Sequence, residues 1–275
     1  MARTRTKKII HAGLLHVEAI YPRVERRDGE RARAAKHKAS SEAQKRMNAI
    51  YSYQKLELGL AANYRPGDLW VTVTYDDEHL PQSRAEAKRK FAYFLKKLAA
   101  ARKAKGQEAV VFWNTEHKHR HEDRWQDARW HHHFCLNATG DDFELIRSVW
   151  SYGRNIEIKT LQLSEELTFE ALARYMCKEA PDKVGQHCWS CTRNARKPEI
   201  ETVRVESDEK IRIPRGALRL TNESGEDQYS AWRVVKYLVP GWNRTPKVRA
   251  RRRSPTSIKK TAPQNAKPLS TKLFY

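Results

Sequence analysis

Ala109–Thr115 (AVVFWNT) and Trp130–Asn137 (WHHHFCLN) are the two stretches that decide the fold. Both are dense in β-branched and aromatic residues, as strands are. The residues between them form a polar, His-rich loop with no helical pattern. Strands joined without a crossover helix pair antiparallel. Upstream, Leu69–Tyr75 (LWVTVTY) reads as a strand that Asp76 and Asp77 end. A helix from Ser40 to about Ala62 precedes it, with Met47, Ile50, Tyr51, Leu56 and Leu60 at loosely helical spacing and Arg65-Pro66-Gly67-Asp68 as the stop. Pro81 and Ser83 open a second helix whose Phe91, Phe94, Leu95 and Leu98 form one apolar stripe. Downstream, Asp141 and Asp142 cap a short helix ending near Trp150, Ile156–Ile158 begins a strand, and Thr168 caps a helix that runs to Met176 before Pro181. The order strand, helix, strand, strand, helix, strand, helix points to an α+β fold with helices packed on an antiparallel sheet. Beyond Pro198 the signals weaken to short strands at Val203–Val205 and Ile211–Ile213 and an apolar segment at Trp232–Val239.

Charge divides the 275 residues differently. The net charge is +21, of which residues 1–50 carry +8 and residues 244–275 carry +10 with no acid at all. This suggests a basic N-terminal arm at 1–39, a central domain at 40–200, an extension of unassigned role at 201–243, and a basic tail at 244–275. The tail's Arg249–Arg253 (RARRR) is followed by a Pro- and Ser-containing stretch without apolar periodicity, read as disordered. Such arms suit a polyphosphate partner, because each neutralised phosphate releases condensed counterions. No run approaches the ~20 apolar residues of a membrane-spanning helix, and the start lacks a signal peptide's apolar stretch, so no membrane partner is expected. Four scattered cysteines fit a reducing, cytoplasmic setting.

Three features carry chemistry. Alternation puts His131 and His133 on one face of their strand with Cys135, while His132, Phe134 and Leu136 take the other. Glu116 ends the preceding strand, and hairpin pairing brings it beside His131. Two imidazoles and a carboxylate make an accepted mixed set for Mn²⁺ or Mg²⁺. His117, His119 and His121 are rival ligands in or beside the loop. On the last helix, Tyr175 and Lys178 are three residues apart and project to one side. A phenol attacks a phosphodiester when positive charge supports it, and a lysine and a metal supply that.

These motifs, in this order, resemble those of rolling-circle replication initiators of the HUH endonuclease superfamily, in the replication-associated protein group of phages, plasmids and integrated elements. The strand Trp70-Val71-Thr72-Val73-Thr74-Tyr75 resembles the family's first motif. His131-His132-His133 after Arg129-Trp130 resembles its second, with His132 where the family usually has an apolar residue. Tyr175 and Lys178 in YMCKEA resemble its third, and Trp189–Asn194 with Lys197-Pro198-Glu199 resembles the segment that follows. Ala171 and Glu179 stand one turn either side of Tyr175, which corresponds to the single-tyrosine class.

The resemblance implies a ferredoxin-like, or RRM-like, sheet and nicking of single-stranded or hairpin origin DNA by transesterification. Tyr175 would be the nucleophile, leaving a 5′-phosphotyrosine and a free 3′-OH, with Lys178 supporting it and Glu116, His131 and His133 holding the metal. Thr72, Thr74 and Tyr75 of the first motif, with Arg129 and Arg174, are the expected DNA contacts, and Trp113, Trp125 or Trp130 would stack on bases. Host polymerase and helicase are implied partners, since the chain has no GxxxxGK[ST] loop of its own. Competing readings are a single-tyrosine transposase of the same superfamily, a non-catalytic nucleic-acid-binding protein, and a zinc site on His187, Cys188 and Cys191 with Cys177 as the nearest fourth ligand.

Overall fold

A computed structural model describes residues 5–22, 42–121, 124–179, 187–206, 208–226 and 231–240, without the side chains of residues 42, 43 and 118–127. Among them, in chain order, are β1 (Arg5–Ala12), β2 (Leu15–Pro22), α1 (Glu42–Asn63), β3 (Leu69–Thr74), α2 (Arg84–Ala104), β4 (Val111–His121), β5 (Arg124–Leu136), α3 (Asp142–Val149), β6 (Ile156–Thr160), α4 (Glu170–Met176), β7 (Trp189–Cys191), β8 (Glu199–Val205), β9 (Leu218–Glu226) and β10 (Ala231–Leu238). They form two five-stranded antiparallel sheets and four helices.

The first sheet has the order β6-β3-β5-β4-β7. From β3 to β6 the chain runs βαββαβ, and these four strands lie in the ferredoxin-like arrangement 4-1-3-2. Alternation decides which side chains meet which helices. Val71 and Val73 of β3, Val111 of β4 and Phe134 and Leu136 of β5 bury against Phe91, Phe94 and Leu98 of α2 and Ile146 of α3. The opposite face buries Phe112 and Cys135 against Leu56 and Leu60 of α1 and Ala173 and Met176 of α4. Ser83 caps α2, its hydroxyl accepting from the Glu86 amide at 3.2 Å.

The second sheet, β8-β1-β2-β10-β9, departs from the sequence reading. Residues 5–22, expected within a basic arm, are two strands of a hairpin whose two-residue turn starts at Gly13 with φ +61°. A side chain at Gly13 would have its Cβ 2.4 Å from the Ala61 carbonyl oxygen, so only glycine lets the turn approach the end of α1. Lys236 of β10 adds a polar tie, its ammonium 3.0 Å from Glu57 of α1 and 2.8 Å from Glu170 of α4. The helix α1 therefore serves both sheets, with Leu56 and Leu60 turned to one and Glu57 and Ala61 to the other. Its Met47 and Tyr51, read as part of an apolar stripe, are exposed.

Two further expectations are corrected. The His-rich loop is strand: β4 runs to His121 and β5 starts at Arg124, with a bulge between Glu116 and Lys118. Ile211–Ile213 is not a strand, whereas 199–205 is. Residues 23–39 of the expected arm and the whole 244–275 tail lie outside the described residues. Among the described residues no helix is long and apolar enough to cross a membrane.

His132 occupies the family's apolar position by becoming a core residue. It is fully buried, stacks on Phe91 at 4.1 Å between ring centroids, and has Thr115 Oγ1 3.0 Å from Nδ1 and Tyr75 Oη 2.9 Å from Nε2. Because the Tyr75 hydroxyl donates to the Ala87 carbonyl, its oxygen accepts from Nε2–H and Nδ1 accepts from Thr115. Burial holds the His132 pKa well below 6.5. The unfolded chain takes up a proton below about pH 6.5 that the folded protein refuses, so this group's stabilisation is present above that pH and is lost as pH falls. Replacing His132 with Leu should flatten the acid side of the stability–pH curve by up to ~1.4 kcal/mol per pH unit. Urea unfolding at successive pH values checks this; His16, lowered by burial to about 4, leaves a residual slope in the variant.

Candidate metal and nucleophile site

The β4–β5 register sets Glu116 opposite His131 and Asn114 opposite His133, and the β3–β5 register sets Thr72 opposite His133 and Thr74 opposite His131. Paired residues share a face, so these six side chains project from the face that α4 covers. The expected pairing of Glu116 beside His131 is what the hairpin forms. His131 Nε2 and His133 Nε2 each lie 3.6 Å from Glu116 Oε2, longer than a hydrogen bond. One ligand atom from each of the three residues falls within 4.8 Å of the others, and this is the group among the described residues arranged to hold a metal ion.

Neighbours set the tautomers. His131 Nδ1 is 2.8 Å from the Arg129 carbonyl, to which it can only donate. His133 Nδ1 is 2.9 Å from Thr72 Oγ1. With Nδ1 carrying the proton, both Nε2 lone pairs face Glu116, the arrangement metal-binding imidazoles adopt. Trp70 fixes the His133 plane by stacking at 5.1 Å with 10° between rings. Asn114 Nδ2 donates to Glu116 Oε1 at 2.6 Å and to the Met176 carbonyl at 3.1 Å, joining the carboxylate to the end of α4.

Burial works to raise the Glu116 pKa, but hydrogen bonding from His131, His133 and Lys178 outweighs it and holds the carboxyl well below its ordinary range. Burial lowers His133 despite the opposing pull of Glu116, keeping its imidazole neutral at neutral pH. Lys178 is raised: burial opposes its charge, and Tyr175 and Glu116 more than offset this. The set fits a hard divalent cation on structural grounds. Glu116 Oε2 is buried with no well-directed hydrogen bond, the Lys178 ammonium standing 2.9 Å away as its counter-ion.

Tyr175 lies above this group. Its hydroxyl is 3.4 Å from His133 Nε2, its ring meets Trp70 edge-on at 6.1 Å, and the Lys178 ammonium sits 3.7 Å from its ring centroid. It is nevertheless 43% exposed, so solvent and a ligand can reach the phenol.

The expected DNA contacts divide. Thr74 is half-buried on the site face, and Thr72 is engaged with His133. Arg129 is exposed and pairs with Asp77 at 2.6 Å. Arg174 is exposed, bonded to Glu170 and Tyr53 and stacked over the Tyr53 ring at 4.0 Å. Tyr75 is a correction: alternation turns it to the α2 face, where it is 1% exposed and out of reach of DNA. Trp113 packs on Phe91 and Trp130 on His117, so neither is a free stacking platform. The side chains of Trp125, His119 and His121 lie outside the described residues.

The rival ligand His117 faces away from Glu116 and is held by Glu179. That carboxylate accepts from the His117 amide at 3.2 Å, lies 3.2 Å from its Nδ1, and pairs with Arg84, which also donates to the Thr115 carbonyl. The β7 strand covers β4 only from Phe112 to Asn114, so this ion pair takes over the next stretch of edge and ties it to the residue after Lys178. Glu179→Gln should cost about 3 kcal/mol in urea unfolding, because it removes the carboxylate charge that faces a largely buried guanidinium; an unchanged midpoint would contradict that role.

Residues 68–180 match the family model of the replication-associated protein ORF2 group. The match spans β3 through the end of α4 and leaves out the second sheet. No curated protein and no solved structure matches the chain. The family match supports a replication-initiator family and a role in replication initiation.

Proposed function

We propose that the protein is a metal-dependent, single-tyrosine HUH endonuclease that nicks and rejoins single-stranded or hairpin origin DNA to start rolling-circle replication. The observation that carries the reading is the placement of one partly exposed phenol, 3.4 Å from His133 Nε2, over the Glu116, His131 and His133 group. Those three residues would hold Mn²⁺ or Mg²⁺, which when bound supplies positive charge to the scissile phosphate.

Tyr175 Oη attacks phosphorus. The Oη–P bond forms, the P–O3′ bond breaks, the phenolic proton passes to solvent and the departing oxygen leaves as a 3′-OH. Lys178 places its charge beside both the phenol and Glu116, which favours negative charge on Oη. Trp70 and Asn114 orient the groups below. Thr74, Arg129 and Arg174 border the site and would contact the strand, with the basic termini tracking its phosphates. The phosphotyrosine conserves the bond, so reversal reseals the strand without a nucleotide cofactor. Host polymerase would extend the 3′-OH and a separate helicase would unwind.

Incubating the protein and Mn²⁺ with a 3′-labelled, random-sequence single-stranded oligonucleotide library should give a label-bearing protein band that survives denaturation. Salt-sensitive binding without such a band would instead favour a non-catalytic nucleic-acid-binding protein.

A further inference from the structure

Where α4 ends and β7 begins, two thiols face each other. Cys177 follows the last residue of α4 and closes the helix, its amide donating to the Ala173 and Arg174 carbonyls at 3.1 and 3.2 Å. Cys188 precedes β7. Their sulfurs are 3.3 Å apart, and Ser52 of α1 holds them as a group, its Oγ 3.1 Å from Cys188 Sγ and 3.8 Å from Cys177 Sγ. Trp189 closes the cluster by donating to the Ser52 carbonyl at 3.2 Å. Cys191, two residues beyond Trp189, is exposed and apart from the pair. The His187, Cys188 and Cys191 grouping considered as a zinc site is not among the metal-holding groups of the described residues.

We propose that Cys177 and Cys188 form a thiol–disulfide exchange site, in which oxidation fastens the end of the tyrosine-bearing helix to the start of β7. A disulfide needs its sulfurs at about 2.05 Å, so the pair has only roughly 1 Å to close. The two thiols are chemically unequal. The hydrogen bond between them draws the Cys188 pKa down to about 6 and pushes Cys177 up, with Ser52 adding to the lowering of Cys188. Cys188 is therefore the attacking thiolate at neutral pH and Cys177 the resolving thiol.

With a low-molecular-weight disulfide such as oxidised glutathione, the steps balance. The Cys188 thiolate attacks one sulfur, forming a protein–glutathione disulfide and releasing one glutathione thiolate. Cys177 loses its proton and attacks Cys188 Sγ, forming the protein disulfide and releasing a second glutathione. The two protein thiols supply both electrons, and the oxidant becomes two glutathione molecules. Tyr175 stands two residues before Cys177 and Lys178 directly after it, so the bond would fix the stretch of backbone that presents both. The inference needs no nicking activity and stands apart from the proposed function.

The test treats full-length, folded protein with oxidised glutathione near pH 7 and reads it by intact mass and by non-reducing peptide mapping after alkylation. A loss of two hydrogens, a linked Cys177–Cys188 peptide, and full alkylation of Cys191 are expected. The Cys177→Ser variant should stop at a glutathione adduct on Cys188, and Cys188→Ser should form no linked peptide. A circular-dichroism spectrum unchanged from that of the parent shows that each variant is folded. A wild-type protein that forms no linked peptide, a linkage through Cys191, or an adduct on Cys191 in preference to Cys188 in the Cys177→Ser variant would overturn the proposal.

Discussion

Changing Tyr175 to Phe is expected to cut the covalent DNA adduct to less than about a thousandth of its wild-type yield, because it removes the attacking oxygen and nothing else. The ring keeps its edge contact with Trp70 and its place beneath the Lys178 ammonium. The hydroxyl's one heavy-atom neighbour at hydrogen-bonding range is His133 Nε2, at a long 3.4 Å. With 43% of the residue exposed, stability should change by no more than about 0.5 kcal/mol. The separation of a lost adduct from an intact fold makes the variant decisive. Denaturing gels with 3′-labelled oligonucleotide measure the first quantity and urea unfolding the second. An adduct that persists would move the nucleophile to another residue, and an adduct lost together with the fold would mean that the phenol is a packing group.

Glu116→Gln is expected to weaken Mn²⁺ binding at least a hundredfold and to remove metal-stimulated adduct formation with it. Glutamine matches the carboxylate in size, so no cavity forms and His131 and His133 stay on their strand. What disappears is the one anionic ligand, together with the counter-charge for Lys178. Neutral oxygens and imidazoles alone hold hard cations poorly, and even the loss of an outer-shell partner costs roughly 10–100-fold in affinity. Titration calorimetry with Mn²⁺ measures the effect. An affinity equal to that of the wild type would mean that the ion binds elsewhere.

How far these groups could be read from the amino-acid order depends on which physical rule places them. Strand alternation alone separates His131 and His133 from His132, and a hairpin alone brings Glu116 to His131; both rules act over a few residues, and both hold. Helical spacing likewise sets Tyr175 and Lys178 together. The groups that orient this set come from elsewhere in the chain. Thr72 and Trp70 reach His133 from a strand some 60 residues away, and Asn114 joins Glu116 to the Met176 carbonyl. Alternation along β3 does put Trp70, Thr72 and Thr74 on one face, but which face meets the imidazoles follows only from sheet order.

Tyr75 illustrates the converse. Its position in the first motif suggested DNA, while the same alternation that places Thr72 at the site carries Tyr75 to the opposite side. There burial pushes its hydroxyl pKa up, and His132 and Ala87 engage its oxygen. The second sheet was hidden for a different reason. Arg5, Lys7 and Lys8 make β1 look like part of a basic arm, yet Ile10, Ala12, Leu15 and Ile20 are core residues, and β1 pairs with β8 nearly two hundred positions later. Net charge reports on solvation and partners, and it says little about whether a segment has an apolar face to bury.

The central claim is that one divalent cation sits among Glu116, His131 and His133 directly beneath the Tyr175 phenol. Crystals grown with Mn²⁺ and measured at the manganese absorption edge test it most directly. A single strong anomalous peak within coordination distance of Glu116 Oε2 and both Nε2 atoms, on the Tyr175 side of the sheet, is the expected result. A peak at the Cys177–Cys188 pair, or no peak at Glu116 under saturating Mn²⁺, would contradict it.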